Sequence, residues 1–171
     1  ANNCGAFSSP VSKLPTGRFT SPAELISNPS IQVSTRSATI SWVTDRNSDS
    51  RIQYGTSSGN YFSTEAASSQ QVKTHKIELD NLNAGTTYYY KAKWTDEDGN
   101  TGASSELSFT TLPAPTVSDV VVSSTTLTTA TIQFTTTGAS SAKVYYGKSK
   151  GFGGLETVNT SATESRYVVQ L

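Results

Sequence analysis

Three blocks of this 171-residue chain recur at one offset. ATISWVT (38–44) returns as ATIQFTT (130–136), RIQYGTSSG (51–59) as KVYYGKSKG (143–151), and HKIEL (75–79), more weakly, as YVVQL (167–171). The differences 130 − 38, 146 − 54 and 171 − 79 are each 92. A spacing held without insertion marks a repeated folding unit. A period of about 90 residues suits a β-sandwich of about seven short strands.

Alternation locates the strands of the first copy. Ala38, Ile40 and Trp42 face inward on one, and Ile52 and Tyr54 do so on the next, which ends at the turn GTSSGN. Ile77 and Leu79 belong to a later strand, followed by a corner at Leu82. In LNAGTTYYYKAKW (82–94), a period of two puts Tyr88, Tyr90, Ala92 and Trp94 on one face and Tyr89, Lys91 and Lys93 on the other. One face is bulky and apolar, the other polar, as in a half-buried antiparallel strand. Alternation therefore favours scaffold over a ligand site for the tyrosine triplet. TDEDGN (95–100) makes a hairpin turn, Leu107 and Phe109 lie on a closing strand, and LPAPT (112–116) is a proline linker that holds its neighbours semi-rigidly.

The second copy reaches Leu171, the counterpart of Leu79, so the counterparts of the corner, the tyrosine strand and the closing strand are not in this sequence. Half a sandwich exposes a strand edge and an apolar face. The expected organisation is an N-terminal extension over 1–19, a first domain over 20–112, and a partial second domain over 113–171 that lacks its last two strands. What pairs with the strand near Val168–Leu171 becomes a central question.

Composition excludes several classes of function. The chain is 34% apolar and 15% charged, rich in Ser and Thr, and thirteen basic residues balance thirteen acidic ones. A neutral protein has no field for phosphate backbones or anionic lipid, so no nucleic acid partner is expected. No apolar run approaches the roughly 18–20 residues of a membrane span, and no membrane insertion is expected. The lone cysteine, Cys4, has no disulfide partner within this sequence; a free or incidental thiol is the first reading, with pairing to another chain or to a further part of this one as alternatives.

With these residues placed, the chain resembles tandem fibronectin type III domains. The variant is the one found at the N-terminus of purple acid phosphatase-like proteins and in many secreted microbial proteins. The resemblance rests on ATISWVTD with Trp42, SRIQYGTSSG with Tyr54 and Gly55, HKIELDNL, LNAGTTYYY and ELSFTTL. It covers residues 20–112 well and 113–171 as a partial copy. The corner pattern of the family is met by Leu82, Gly85, Thr86 and Tyr88, with Ala84 in place of the usual proline; Phe134 stands where Trp42 stood. The resemblance implies an all-β, immunoglobulin-like sandwich in tandem repeats. It also implies a structural core of Trp42, Tyr54, Leu82, Tyr88, Trp94, Phe134 and Tyr146, with Tyr88 as the corner tyrosine whose hydroxyl bonds back to the connecting loop.

Candidate sites are sparse. His75 is the only histidine, and catalytic triads or zinc sites need more; a strand-end histidine satisfied by a neighbour is the simpler reading. The His and Asp cluster of purple acid phosphatase chemistry is missing from this sequence, so that activity is not carried over. Asp96, Asp98 and Asn100 offer hard oxygens at alternate positions and form a weak calcium candidate without the later glutamate of an EF-hand loop. Asp45, Asp49 and Glu65 fall in or near loops and form no recognisable glycosidase pair. Asn159-Thr160-Ser161 is a glycosylation sequon.

The expected function is a non-catalytic extracellular structural or interaction module, spacer or adhesion type, of a secreted or cell-surface protein. No cofactor is expected, and the partner is a protein or neighbouring domain, with carbohydrate as an alternative. Two other readings remain open. One is an accessory domain of a larger secreted hydrolase. The other is an extracellular fibre subunit completed by strand exchange, with the segment from Cys4 to Leu14 as a donor of poor alternation.

Overall fold

The computed structural model describes residues 18–62, 64–159 and 165–170, and every regular element in them is a strand. Cys4 and the proposed donor segment lie outside the described residues. The chain divides into two units: one runs to Leu82 and resumes over Thr87–Thr110, and the other takes Asn83–Thr86 and Thr111 onward.

The first unit contains β1 (Leu25–Val33), β2 (Ala38–Gly55), β3 (Ala66–Leu79), β4 (Thr87–Thr95), β5 (Thr101–Ala103) and β6 (Leu107–Thr110). β2 is one strand of 18 residues, where alternation had suggested two. Its first half pairs with β1 (Val33↔Ala38, Ile31↔Ile40) and with the end of β3 (Trp42↔His75, Ala38↔Leu79). Its last residues pair with β4 (Arg51↔Lys93, Tyr54↔Tyr90) and with the start of β3 (Ile52↔Ala66). Register shifts between Val43 and Ser50 mark where the strand changes neighbours, as bulges permit. Asp45 and Asp49 consequently sit within β2 and not in loops.

Alternation then fills the core. Ala38, Ile40, Trp42 and Ile52 of β2 meet Ile77 and Leu79 of β3, with Tyr88, Tyr90, Ala92 and Trp94 of β4, Phe109 of β6, and Leu82. Phe109 stacks on Tyr88 at 5.5 Å between ring centroids and meets Tyr90 edge-on at 5.8 Å. Tyr89, Lys91 and Lys93 are half-exposed, as the period-two reading of the triplet requires. Tyr54 is only partly buried; it packs on the core's margin between Phe62 and Tyr88.

The second unit contains β7 (Thr116–Thr125), β8 (Ala130–Thr137), β9 (Ser141–Tyr146), β10 (Gly154–Asn159) and β11 (Ser165–Gln170). One sheet has the order β11-β8-β7 and the other pairs β10 with β9. The strand near Val168 thus pairs with β8, through Val168↔Gln133 and Tyr167↔Phe134. Phe134↔Tyr167 lies 92 residues beyond Trp42↔His75, and Thr125↔Ala130 lies 92 beyond Val33↔Ala38. Phe134 is buried, Tyr146 half-buried, and every residue of β7 is exposed.

Candidate functional site

Polar side chains of the first unit gather in three places. The first surrounds His75, which is fully buried on β3. Its ring stacks on Trp42 at 4.8 Å and 9°. Nε2 lies 2.8 Å from Thr44 Oγ1, and Nδ1 lies 2.8 Å from Ser50 Oγ. Both ring nitrogens therefore have hydroxyl partners supplied by β2, because Thr44, Ser48 and Ser50 share the inward face of that strand. Burial pushes the imidazole pKa down, against the opposing charge of Asp49. A neutral ring held between hydroxyls and an indole has no open side for a substrate.

The second is the β4–β5 turn. Asp96 is buried, and its Oδ1 accepts from the backbone N–H of Asp98 (3.1 Å) and Asn100 (2.9 Å). Oδ2 accepts from Arg46 Nη2 at 3.1 Å. Burial would raise this carboxyl's pKa, but the bonds from Asn100, Arg46 and Asp98 outweigh it and hold the pKa below the usual value. Asp98 faces the other way and caps two backbone donors, Arg18 N at 2.9 Å and Phe19 N at 2.8 Å. Asn100 Nδ2 donates to Phe19 O at 3.0 Å. Arg46, stacked 4.0 Å from the Phe19 ring centroid, also reaches Asp45 and the Ser21 carbonyl. Of the three candidate calcium ligands, Asp98 thus accepts from the backbone of residues 18 and 19, Asn100 donates to Phe19, and Asp96 closes the turn and holds Arg46. Among the described residues no group of three or more His, Cys, Asp or Glu is placed to hold a metal ion. A cleft of about 270 Å³ opens beside this staple, lined by both signs of charge, including Arg18, Lys73 and Glu97.

The third is a clamp at Glu106. Its carboxylate accepts from Ser58 Oγ, Gly59 N and the Tyr61 hydroxyl, all in the turn after β2. These bonds, led by Ser58, hold Glu106 down to about 2. Tyr61 is pushed up to about 12 by desolvation and by the same carboxylate. Sequence reasoning missed this cluster, because Glu106 lies 45 or more residues from the turn it clamps and shares no motif with it.

Of the second unit's candidates, Asn159 is exposed at the end of β10, while Thr160 and Ser161 fall outside the described residues. Between β7, β8 and β9 lies an apolar groove of about 310 Å³.

Two layers joined by strands that serve both, a tyrosine strand packed inward and an aromatic core define an immunoglobulin-like β-sandwich of the fibronectin type III kind. The comparisons narrow this. The model of the family described as purple acid phosphatase, N-terminal domain, matches residues 26–111, which span β1 to β6 and just over half of the chain. The chain belongs to that family. The family's domain is a non-catalytic accessory part of a phosphatase. No curated protein matches the chain.

Proposed function

We propose that this chain serves as a non-catalytic accessory module of a larger secreted hydrolase of the purple acid phosphatase kind. The family match over 26–111 carries this reading. It is supported by the use that the polar residues find: the histidine, the acidic turn and Glu106 all satisfy internal donors and acceptors. In this reading the second unit is another copy of the same domain, which the shared 92-residue shift in strand register favours. The module spaces or docks the catalytic part outside the cell, with a protein neighbour as its partner.

Two measurements test the proposal. The chain supplied with ferric and zinc ions should hydrolyse p-nitrophenyl phosphate no faster than the ions alone; turnover above that level overturns it. The reading frame of the gene should encode a cluster of His and Asp metal ligands. A frame holding further repeats of about 90 residues and no such cluster makes the chain a spacer instead.

A further inference from the structure

Residues 18–23 lie against the β4–β5 end of the first unit without joining a strand. Among the described residues, every hydrogen bond to their backbone comes from a side chain. Asp98 accepts from the N–H of Arg18 at 2.9 Å and of Phe19 at 2.8 Å. Asn100 Nδ2 donates to the Phe19 carbonyl at 3.0 Å, Arg46 Nη2 to that of Ser21 at 2.7 Å, and Trp94 Nε1 to that of Ala23 at 2.8 Å. Two side chains of the segment are read as well: the Phe19 ring under the Arg46 guanidinium, and Ala23, 2% exposed, against the core. The groups that hold the segment do not depend on it. The hairpin closes through Asp96 N to Asn100 O and Gly99 N to Asp96 O, each at 3.0 Å, and Arg46 is fixed by Asp45 and Asp96. Residues 18–21 are exposed and Ala23 alone is buried, so little apolar surface is uncovered when the segment leaves. A segment without ladder bonds and with so little burial opens at the low end of a protein's range of local stabilities.

We propose that the β4–β5 hairpin and Arg46 form a peptide groove whose resident ligand is residues 18–23 of this same chain, and that this strap comes off and re-seats while the sandwich stays folded. The groove recognises mainly backbone, through Asp98, Asn100, Arg46 and Trp94, and adds a ring at the Phe19 position and a small side chain at the Ala23 position. Pro22 suits a stretch in which its missing N–H is not called upon. This concerns the first unit alone and stands whether or not that unit serves a hydrolase.

Hydrogen exchange on the 171-residue protein tests this. The reference is the free peptide GRFTSPAE, the sequence of residues 17–24. The amides of Arg18 and Phe19 should exchange roughly tenfold or more slower than in that peptide, yet roughly a hundredfold or more faster than the buried Ile40 of β2. Asp98→Ala should bring both amides to the peptide rate, and Ile40 should quicken by no more than the factor lost at Phe19. Ala23→Asp puts an unpaired charge at a buried position and should expel the strap while Ile40 stays slow. The peptide should then bind the Ala23→Asp protein one-to-one, and the same peptide carrying Ala23→Asp should not. Exchange at Phe19 as slow as at Ile40, or as fast as in the peptide, overturns the proposal. So does an Ala23→Asp protein that no longer folds, or one that fails to take up the peptide at millimolar concentration.

Discussion

Gly102 is the position where the packing of the first unit can be tested most sharply. It lies opposite Trp94 in the β4–β5 pair, and a Cβ added there would sit 2.4 Å from the indole Nε1 and 2.6 Å from Cε2. The indole has little room to retreat, since Trp94 is buried and its Nε1 donates to the Ala23 carbonyl at 2.8 Å. The φ of Gly102 lies outside the left-handed region, so alanine meets no backbone objection. In a strand, Gly→Ala ordinarily stabilises by roughly 0.5–1 kcal/mol. Overpacking of a filled core costs about 1–3 kcal/mol. A displaced indole also leaves a buried donor and acceptor unsatisfied, at about 1–3 kcal/mol. These costs overlap, so Gly102→Ala should destabilise the unit by about 1–3 kcal/mol net, or roughly 5–20 °C in Tm for a domain of this size. Both tryptophans of the chain, Trp42 and Trp94, lie in the first unit, so tryptophan fluorescence during a thermal or urea melt reports that unit alone. Trp94→Phe removes the clashing part of the ring, and in that background Gly102→Ala should cost less than about 0.5 kcal/mol. A Gly102→Ala protein as stable as the parent would refute the packing argument, as would an undiminished loss in the Trp94→Phe background.

Four further outcomes follow from the same contacts. Leu79→Ala, at a site with 1% exposure, should lower stability by about 2–5 kcal/mol, read as a lower urea midpoint with an unchanged slope. His75 has a folded pKa below its ordinary 6.5, so the unfolded chain takes up the proton first as pH falls; stability should be full above pH 6.5 and decline below it, and His75→Gln should remove that decline. Asp96 adds a separate loss that begins below its ordinary 3.8, because its folded pKa is also lowered. Glu106→Gln should bring one of the eight tyrosines down from about 12 toward its ordinary 10.0, visible as phenolate absorbance during an alkaline titration.

Much of the core was legible in the sequence because strand alternation is local. The inward set Tyr88, Tyr90, Ala92 and Trp94 needs only a period of two, and the structure buries all four. The hairpin at TDEDGN was legible for the same reason: Gly99 has φ 86°, which its position in the turn demands. The continuity of β2 was not legible. Asp45 to Asp49 is polar enough to read as a loop, yet it stays extended because Thr44 Oγ1 donates to the Arg46 carbonyl and Arg46 is drawn to Asp96, 50 residues away. Tyr54 and Tyr146 were placed in the core by analogy and proved half-buried, since alternation gives a face but not the depth of cover above it. Nor did sequence show that Asp98 caps the backbone of residues 18 and 19, at a separation of about 80 residues.

The unbroken run of β2 across both layers has a mechanical consequence. Neither layer can be peeled away without stripping partners from half of that ribbon, and β3 doubles the coupling by following it. Melting of the first unit should accordingly be all-or-none, with no species that keeps one face ordered while the other is fluid.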